Sequence, residues 1–234
     1  MATNLKAVHE DLESLSDPDD VKNLQRFFKT GPGEYGEGDQ FRGIRVPVTR
    51  KLAQKFKDLS ITDIEELLQS KFHEDRLLAL FLLIQHFQKG DPNSQKLIYD
   101  LYLKNIRFIN NWDLVDSSAE HILGAWLSDK CKDLLFDFTH SDSLWKRRIA
   151  IMSTFHYIKK GEFEISLRIA EILRNDPEDL IQKAVGWMLR EIGKRDLATE
   201  ETFLKKYYKE LPRTMLRYAI EKFPEEKRQK YLNS

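Results

Sequence analysis

The feature that most constrains the fold of this chain is a helical repeat with a period near 35 residues. Four apolar segments carry a small residue at one position, namely Ala79, Ala150, Ala184 and Ala219. The intervals between these alanines are 71, 34 and 35 residues, and the helix predicted to begin near Trp112 fills the interval of 71. A period of this length is typical of an α-solenoid, in which each helix pair buries one face against its neighbours.

Helical periodicity extends over nearly the whole chain, and no segment shows the alternation expected of a strand. We therefore predict an all-α fold, with residues 1–234 forming one domain: an α-solenoid of about six helix pairs with a concave groove. A helical bundle is the alternative, but the regular spacing favours the solenoid. Helices are predicted near residues 2–14, 20–29, 47–57, 61–69, 74–89, 93–104, 111–127, 130–138, 143–159, 163–174, 178–195, 198–209, 212–222 and 225–232.

Composition excludes several classes of protein. Apolar residues make up 41% of the chain and charged residues 32%, which indicates a soluble helical protein. No apolar run reaches the length of about 18 residues that a membrane helix needs, and the first residues lack the apolar core of a signal peptide. Cys131 is the only cysteine, and the six histidines show no metal-ligand spacing. We expect a cytoplasmic monomer without metal or organic cofactor.

The charge of the chain is unevenly distributed although its formal net charge is zero. Residues 1–143 contain 18 Lys/Arg and 24 Asp/Glu, whereas residues 144–234 contain 20 and 14. Such an asymmetry can place one basic surface on a neutral molecule, as proteins that bind polyanions often do. A chance distribution of surface charge is the alternative.

A glycine-rich segment, residues 31–41, formally matches a dinucleotide-binding pattern. It follows a predicted helix instead of a strand, and two glutamates and an aspartate occupy the places where phosphates would bind. We interpret the segment as a flexible connector and not as a nucleotide site.

Trp112 and Asp116 are four residues apart, so they share one face of their predicted helix. Asp116 lies at the margin of the apolar face. An acid in a first helical turn can simply complement the helix dipole, and a catalytic carboxylate is the other interpretation.

Arg148 falls within the apolar stripe of its predicted helix. A guanidinium is rarely buried without a partner, so we expect an anionic group to meet it. Asp116 lies 32 residues earlier, close to one repeat period, and could be that partner. The pair could be structural, or it could orient a catalytic carboxylate.

Trp187 is predicted to point away from the buried stripe of its helix, beside Lys183, Arg190 and Lys194. An exposed indole among basic side chains suits a nucleic-acid backbone with a base nearby. The alternative is a tryptophan that packs against the next repeat.

Four segments resemble the AlkD-type DNA alkylation-repair glycosylases, which are built from HEAT-like helical repeats. The segments are Gly43-Ile-Arg-Val-Pro47, Trp112-Asp-Leu-Val-Asp116-Ser, Leu144-Trp-Lys-Arg-Arg148-Ile-Ala-Ile and Ile181-Gln-Lys-Ala-Val-Gly-Trp187-Met-Leu-Arg190-Glu. They occur in the family's order and span most of the chain.

The resemblance implies excision of positively charged N3- or N7-alkylated purines from duplex DNA. It also implies that Trp112, Asp116 and Arg148 are the catalytic residues. Members of this family reach the deoxyribose without drawing the damaged base into a pocket. The enzyme would act on DNA in the cytoplasm, in association with the nucleoid.

The resemblance further implies that Trp187 lines the DNA-binding cleft. Contacts to the DNA backbone are expected from four basic residues, which are Arg50, Lys183, Arg190 and Lys194.

The chemistry of these residues fits the implied reaction. An alkylated purine is cationic and already a good leaving group, and cleavage of its glycosidic bond develops positive charge on the sugar. The face of Trp112 and the carboxylate of Asp116 can both stabilise that charge. A noncatalytic helical-repeat protein that binds DNA structures, or a protein partner, through the same groove is the alternative function.

Overall fold

The computed structural model describes residues 4–233, and within this range no β-strand occurs. The all-α prediction is confirmed. The helices are α1 (Leu5–Ser14), α2 (Pro18–Phe27), α3 (Val46–Lys55), α4 (Ile61–Leu68), α5 (His73–Lys89), α6 (Pro92–Lys104), α7 (Trp112–Ser118), α8 (Asp133–Thr139), α9 (Leu144–Ser153), α10 (Phe155–Ile158), α11 (Glu164–Leu173), α12 (Asp179–Gly193), α13 (Leu197–Tyr207), α14 (Arg213–Ala219) and α15 (Glu225–Leu232), with 3₁₀ turns at Ile106–Phe108 and Ile220–Lys222.

Several helices begin where the sequence supplies a capping side chain. The carboxylate of Asp17 accepts a hydrogen bond from the Asp19 amide at 3.0 Å, so α2 can begin at Pro18. Asp91 caps α6 in the same way, at 2.8 Å from the Ser94 amide. Proline is well suited to the first position of a helix because the amide it lacks would be unpaired there.

The described residues form two compact units, one ending at Ser118 and the other beginning at Ala119. In the N-terminal unit α5 is the central helix: it is buried along most of its length and packs against α3, α4, α6 and α7. In the C-terminal unit α12 has the same role and contacts α9, α11, α13 and α14. The single domain over residues 1–234 stays a prediction.

The four repeat alanines all lie in the core. Ala79 lies on α5, Ala150 on α9, Ala184 on α12 and Ala219 on α14, and each is completely buried. Two residues after Ala184, Gly186 lies where α12 closely approaches α14: a Cβ atom there would lie 2.4 Å from the Met215 carbonyl oxygen. A small residue is therefore required at this point of α12.

Two predicted helices are divided in the structure. The helix expected over 111–127 ends at Ser118 and continues as a π-helical turn at Glu120–Gly124, where the Gly124 amide donates to the Ala119 carbonyl at 2.9 Å. The helix expected over 143–159 breaks at Thr154, whose hydroxyl donates to the Ile151 carbonyl at 2.7 Å. Hydroxyl groups that bond to a preceding carbonyl compete with the regular helix.

The first predicted helix, 2–14, partly lies outside the described residues, and its described part begins at Leu5 behind the cap Asn4. Within residues 4–233, no helix combines the length and the apolar character that crossing a membrane would require.

Candidate functional site

Trp112 and Asp116 stand one turn apart at the start of α7, and both are half-buried. The beginning of this helix is held by side chains that accept backbone amides. Asn111 accepts from the Trp112 amide at 2.8 Å, and Asp113 accepts from the Leu114 amide at 2.8 Å. Because helix N-terminal amides lack partners within the helix, these contacts fix where α7 begins and which way its first turn faces.

A buried histidine bridges α5 to α7. The Nε2 atom of His73 lies 2.8 Å from a carboxylate oxygen of Asp113, and its Nδ1 atom lies 3.0 Å from Asp39. Only 2% of the His73 side chain is exposed. With a carboxylate at each ring nitrogen, both nitrogens can donate only if the ring is an imidazolium.

The charge state of His73 follows from these contacts. Burial by itself would lower its pKa, but the hydrogen-bonded carboxylates of Asp113 and Asp39 outweigh burial and raise the pKa to about 9. Burial would likewise raise the pKa of Asp39, yet His73 and Arg76 hold it below its usual value. His73 is therefore cationic and Asp39 anionic at neutral pH.

Asp39 connects the glycine-rich segment to this cluster. Its carboxylate accepts from the guanidinium of Arg76 and, at 3.2 Å, from the side-chain amide of Asn111. The interpretation of residues 31–41 as a flexible connector is wrong at this position, because Asp39 is only 8% exposed and fully engaged. The sequence-based reasoning missed His73 and Asp39; an acid at the end of a glycine-rich loop was the only indication available.

Two glutamates of the same loop accept hydrogen bonds from the loop's own backbone amides. Glu34 accepts from the Gly31 amide and Glu37 from the Gly33 amide, each at 2.8 Å. These are the amides that would otherwise cradle a phosphate, so the contacts support the exclusion of a nucleotide site.

Aromatic rings form the wall behind Trp112. The ring of Phe28 stacks on the indole, with centroids 5.4 Å apart and an interplanar angle of 23°. Phe28 and Phe41 each lie 4.8 Å from the imidazole of His73. The indole is thus supported from behind by rings that are themselves packed against a buried cation.

The backbone at the beginning of the Gly43–Pro47 segment is held by a side chain of α5. The carboxylate of Glu74 accepts from the amides of Arg42, Gly43 and Ile44 at 2.9, 2.9 and 3.1 Å. Gly43 has a φ of 85°, and a Cβ atom there would lie 2.0 Å from the Asp17 carbonyl oxygen. This part of the family-like motif is therefore a structural requirement of the N-terminal unit.

Arg148 is buried in α9, as its position in the apolar stripe predicts, with 5% exposure. Its guanidinium donates to the backbone carbonyl of Leu180, the second residue of α12. The neighbouring Arg147 binds Asp176 at 2.7 Å and the Ser141 carbonyl at 2.9 Å. The two arginines together tie α9 to the beginning of α12, and sequence-based reasoning identified only Arg148.

Trp187 is half-buried, so its exposure does not decide between the exposed and the packed indole. Its ring lies 5.9 Å from that of Phe155, and its N–H donates to Glu191 at 3.3 Å. Burial would raise the pKa of Glu191, but Lys194 and Arg195 outweigh it and lower the pKa.

The basic side chains near Trp187 are each paired with an acid. Lys183 binds Asp179 at 2.6 Å, Lys194 binds Glu191 at 2.5 Å, and Arg190 binds Glu221. Arg50 is exposed, with its guanidinium 4.3 Å from the centre of the Phe81 ring. The role of these four residues in DNA binding stays a prediction, and three of them would exchange a carboxylate for a phosphate.

The predicted site residues are distributed over both units. Trp112, Asp116 and Arg50 lie in the N-terminal unit, and Arg148 and Trp187 lie in the C-terminal unit with the other basic residues. The pairing of Asp116 with Arg148 stays a prediction. Within residues 4–233, no group of histidine, cysteine, aspartate and glutamate side chains is arranged to hold a metal ion.

Comparison with known families identifies the lineage of the chain. The model of the DNA alkylation repair enzyme family matches residues 8–223. The chain belongs to this family. No curated protein matches the sequence.

A solved structure shares the fold. It is a predicted DNA alkylation repair enzyme from Enterococcus faecalis, 20% identical, with a TM-score of 0.72 over 90% of this chain and 97% of that one. The fold class predicted from the sequence, an all-α repeat fold, is confirmed. Membership of the family gives the protein a role in DNA alkylation repair.

The His73 bridge predicts how stability depends on pH. Because the pKa of His73 is raised in the folded protein, the charged ring stabilises the fold. This stabilisation is fully present below pH 6.5 and is lost as the pH rises through about 9. Asp113→Asn removes one balancing charge, so we expect a loss of about 3 kcal/mol at pH 6 and a smaller loss above pH 9. Denaturant midpoints at both pH values measure this.

Asp100→Asn is the matched control, because Asp100 forms an exposed pair with Lys96 on α6. We expect it to change stability by less than about 0.5 kcal/mol. Equal losses for Asp113→Asn at both pH values would contradict a charged His73.

Proposed function

We propose that this protein is a monofunctional DNA glycosylase that hydrolyses the N-glycosidic bond of N3- or N7-alkylated purines in duplex DNA. The observation that carries the proposal is the geometry of α7. An indole and a carboxylate stand one turn apart at its start, both half-buried, on a turn fixed by Asn111 and Asp113. A site that must be held in one orientation gains from such support.

The reaction requires stabilisation of a developing sugar cation. Alkylation makes the purine cationic, so the base can leave without strong acid catalysis. The face of Trp112 can stabilise the sugar by cation–π attraction, and the carboxylate of Asp116 can do so by charge. Asp116 can also hold the attacking water, which forms the new C1′–O bond and gives up a proton to the solvent, while the base departs as a neutral purine with the bonding electrons.

Tyr102 is a buried phenol that interacts electrostatically with Asp116. Burial raises the pKa of Tyr102, and the negative charge of Asp116 raises it further, so the phenol remains neutral. Its hydroxyl lies 3.0 Å from that of Ser118, which donates to the Leu114 carbonyl at 2.6 Å. Tyr102 therefore supports α7 from the core and is not a candidate for proton transfer.

The C-terminal unit supplies the other proposed functions. Arg148 would hold either the catalytic carboxylate or a phosphate near the lesion, a role suited to a guanidinium that is fixed against a backbone carbonyl. Trp187 would line the DNA-binding cleft. We further propose that the protein acts as a monomer in the cytoplasm, associated with the nucleoid.

Asp116→Asn tests the catalytic role directly. The amide keeps the shape of the side chain but removes the negative charge that faces the sugar cation. We expect excision to slow by about two to three orders of magnitude, which corresponds to roughly 2–4 kcal/mol, while DNA affinity holds or rises slightly. Single-turnover release of N7-methylguanine from a duplex, alongside binding to the same duplex, measures both effects.

Asp137→Asn is the control for this experiment, because Asp137 is an exposed acid on α8. It should excise at the wild-type rate. A near wild-type rate for Asp116→Asn would contradict the catalytic role. Binding by the wild type without any release would favour the noncatalytic DNA-binding protein.

DNA binding should depend steeply on salt if the basic residues contact phosphates. Replacing both Arg190 and Lys194 with alanine should weaken binding to all sequences alike. It should also reduce the slope of log affinity against log salt by about 2. Titration of one duplex at several salt concentrations measures the slope.

A double variant of α6 is the matched control for charge. Lys96 and Lys104 are exposed and paired with Asp100 and Glu65, as Arg190 and Lys194 are paired with acids. Replacing both with alanine should leave the slope unchanged. An unchanged slope for the Arg190/Lys194 variant would place the binding surface elsewhere.

A further inference from the structure

A cavity of about 560 Å³ opens beside Trp112, entirely within the N-terminal unit. Its lining surface is mostly apolar and includes the rings of Phe27, Phe28, Phe41 and Trp112. Phe27 meets Trp112 edge to face, with centroids 5.8 Å apart and an interplanar angle of 69°. A concave pocket with several aromatic walls favours a planar ring as its occupant.

The cavity is bordered by exposed apolar side chains that are not part of the buried core. Phe27 is 62% exposed and Val46 is 40% exposed. Phe27 ends α2, a helix that buries none of its residues. The next residue, Phe28, is buried in the core, whereas Phe27 stays outside it. Large apolar groups exposed at the edge of a pocket indicate a binding surface.

The buried polar groups of the cavity are already engaged. Both nitrogens of His73, both oxygens of Glu74 and both oxygens of Asp113 take part in hydrogen bonds within the protein. Few polar groups remain to read the edge of a ring, so recognition by stacking is favoured over recognition by hydrogen bonds.

Two arginines line the same cavity. Arg45 is held by Asp20 through two hydrogen bonds of 2.6 Å. Arg26 is exposed in the last turn of α2, one residue before Phe27. A cation beside an aromatic slot suits a ring that is attached to a phosphate.

We propose that this cavity, bounded by Phe27 and Trp112, receives one unstacked nucleobase of a DNA strand, with the adjacent phosphate at Arg26. The base is held by stacking, so any of the four bases is accepted. The proposal relies on the family's role in DNA repair and not on the glycosylase reaction, and it does not assign the damaged base to the cavity.

The test compares two short single-stranded oligonucleotides of equal length. One carries a single adenine in an otherwise abasic backbone, and the other is fully abasic. Neither contains a lesion, so the result does not depend on excision. A stacked base contributes a factor of roughly 5 to 150 in affinity, and we expect the one-base strand to bind about 10-fold more tightly.

Variants of Phe27 test whether the difference in affinity between the two strands arises in this cavity. Phe27→Ala and the aliphatic Phe27→Leu should each remove most of the 10-fold difference and leave the abasic affinity unchanged. Leu97→Ala is the matched control, because Leu97 is 54% exposed on α6. Arg26→Gln should weaken binding of both strands equally. Thermal melting verifies that each variant is folded.

Three outcomes would overturn the proposal: equal binding of the two strands by the wild type, an unchanged difference in both folded Phe27 variants, or free deoxyadenosine monophosphate binding as tightly as the one-base strand. The last outcome would assign the cavity to a free nucleotide. None of them bears on excision, which the Asp116→Asn experiment tests separately.

Discussion

The bridge from His73 to Asp39 and Asp113 is the interaction on which the rest of the candidate site depends. It joins three parts of the N-terminal unit that are distant in sequence: the glycine-rich loop, the first turn of α5 and the first turn of α7. A buried ion cluster contributes little net stability compared with an apolar core, but separating its members leaves uncompensated buried charges, which disfavours other arrangements. Here that arrangement sets the position of Trp112.

The residues that support the site are therefore different from the residues proposed to act in it. Behind α7, charges and rings are buried and compensated, whereas Trp112 and Asp116 at the surface are only half-buried. The cavity beside Trp112 uses the same wall of rings, so one buried framework serves both the proposed catalytic pair and the proposed base-binding pocket. In the C-terminal unit, Arg147 and Arg148 have a comparable supporting role, because they tie α9 to the start of α12.

The structural features that could be predicted are those that produce a local or periodic pattern in the sequence. The spacing of the alanines predicted the helical repeat, and the apolar stripe around Arg148 predicted its burial. The His73 cluster could not be predicted, because its partners lie 34 and 40 residues away and no local pattern marks them. The ion pair of Arg190 with Glu221, 31 residues away, could not be predicted, because helical spacing shows the direction of a side chain but not partners from other elements. The cavity at Phe27 could not be predicted, because its lining residues come from segments as far apart in sequence as Asn23 and Asp113.

The protonation state of His73 tests this account most directly. Nitrogen chemical shifts of its ring, followed by NMR in the intact protein from pH 6 to 10, report whether one or both nitrogens carry a proton. Two carboxylates at hydrogen-bond distance predict that both nitrogens remain protonated past pH 8 and that the ring titrates near pH 9. Titration at or below pH 6.5 would mean that the bridge is neutral, and the proposed framework behind Trp112 would then be contradicted.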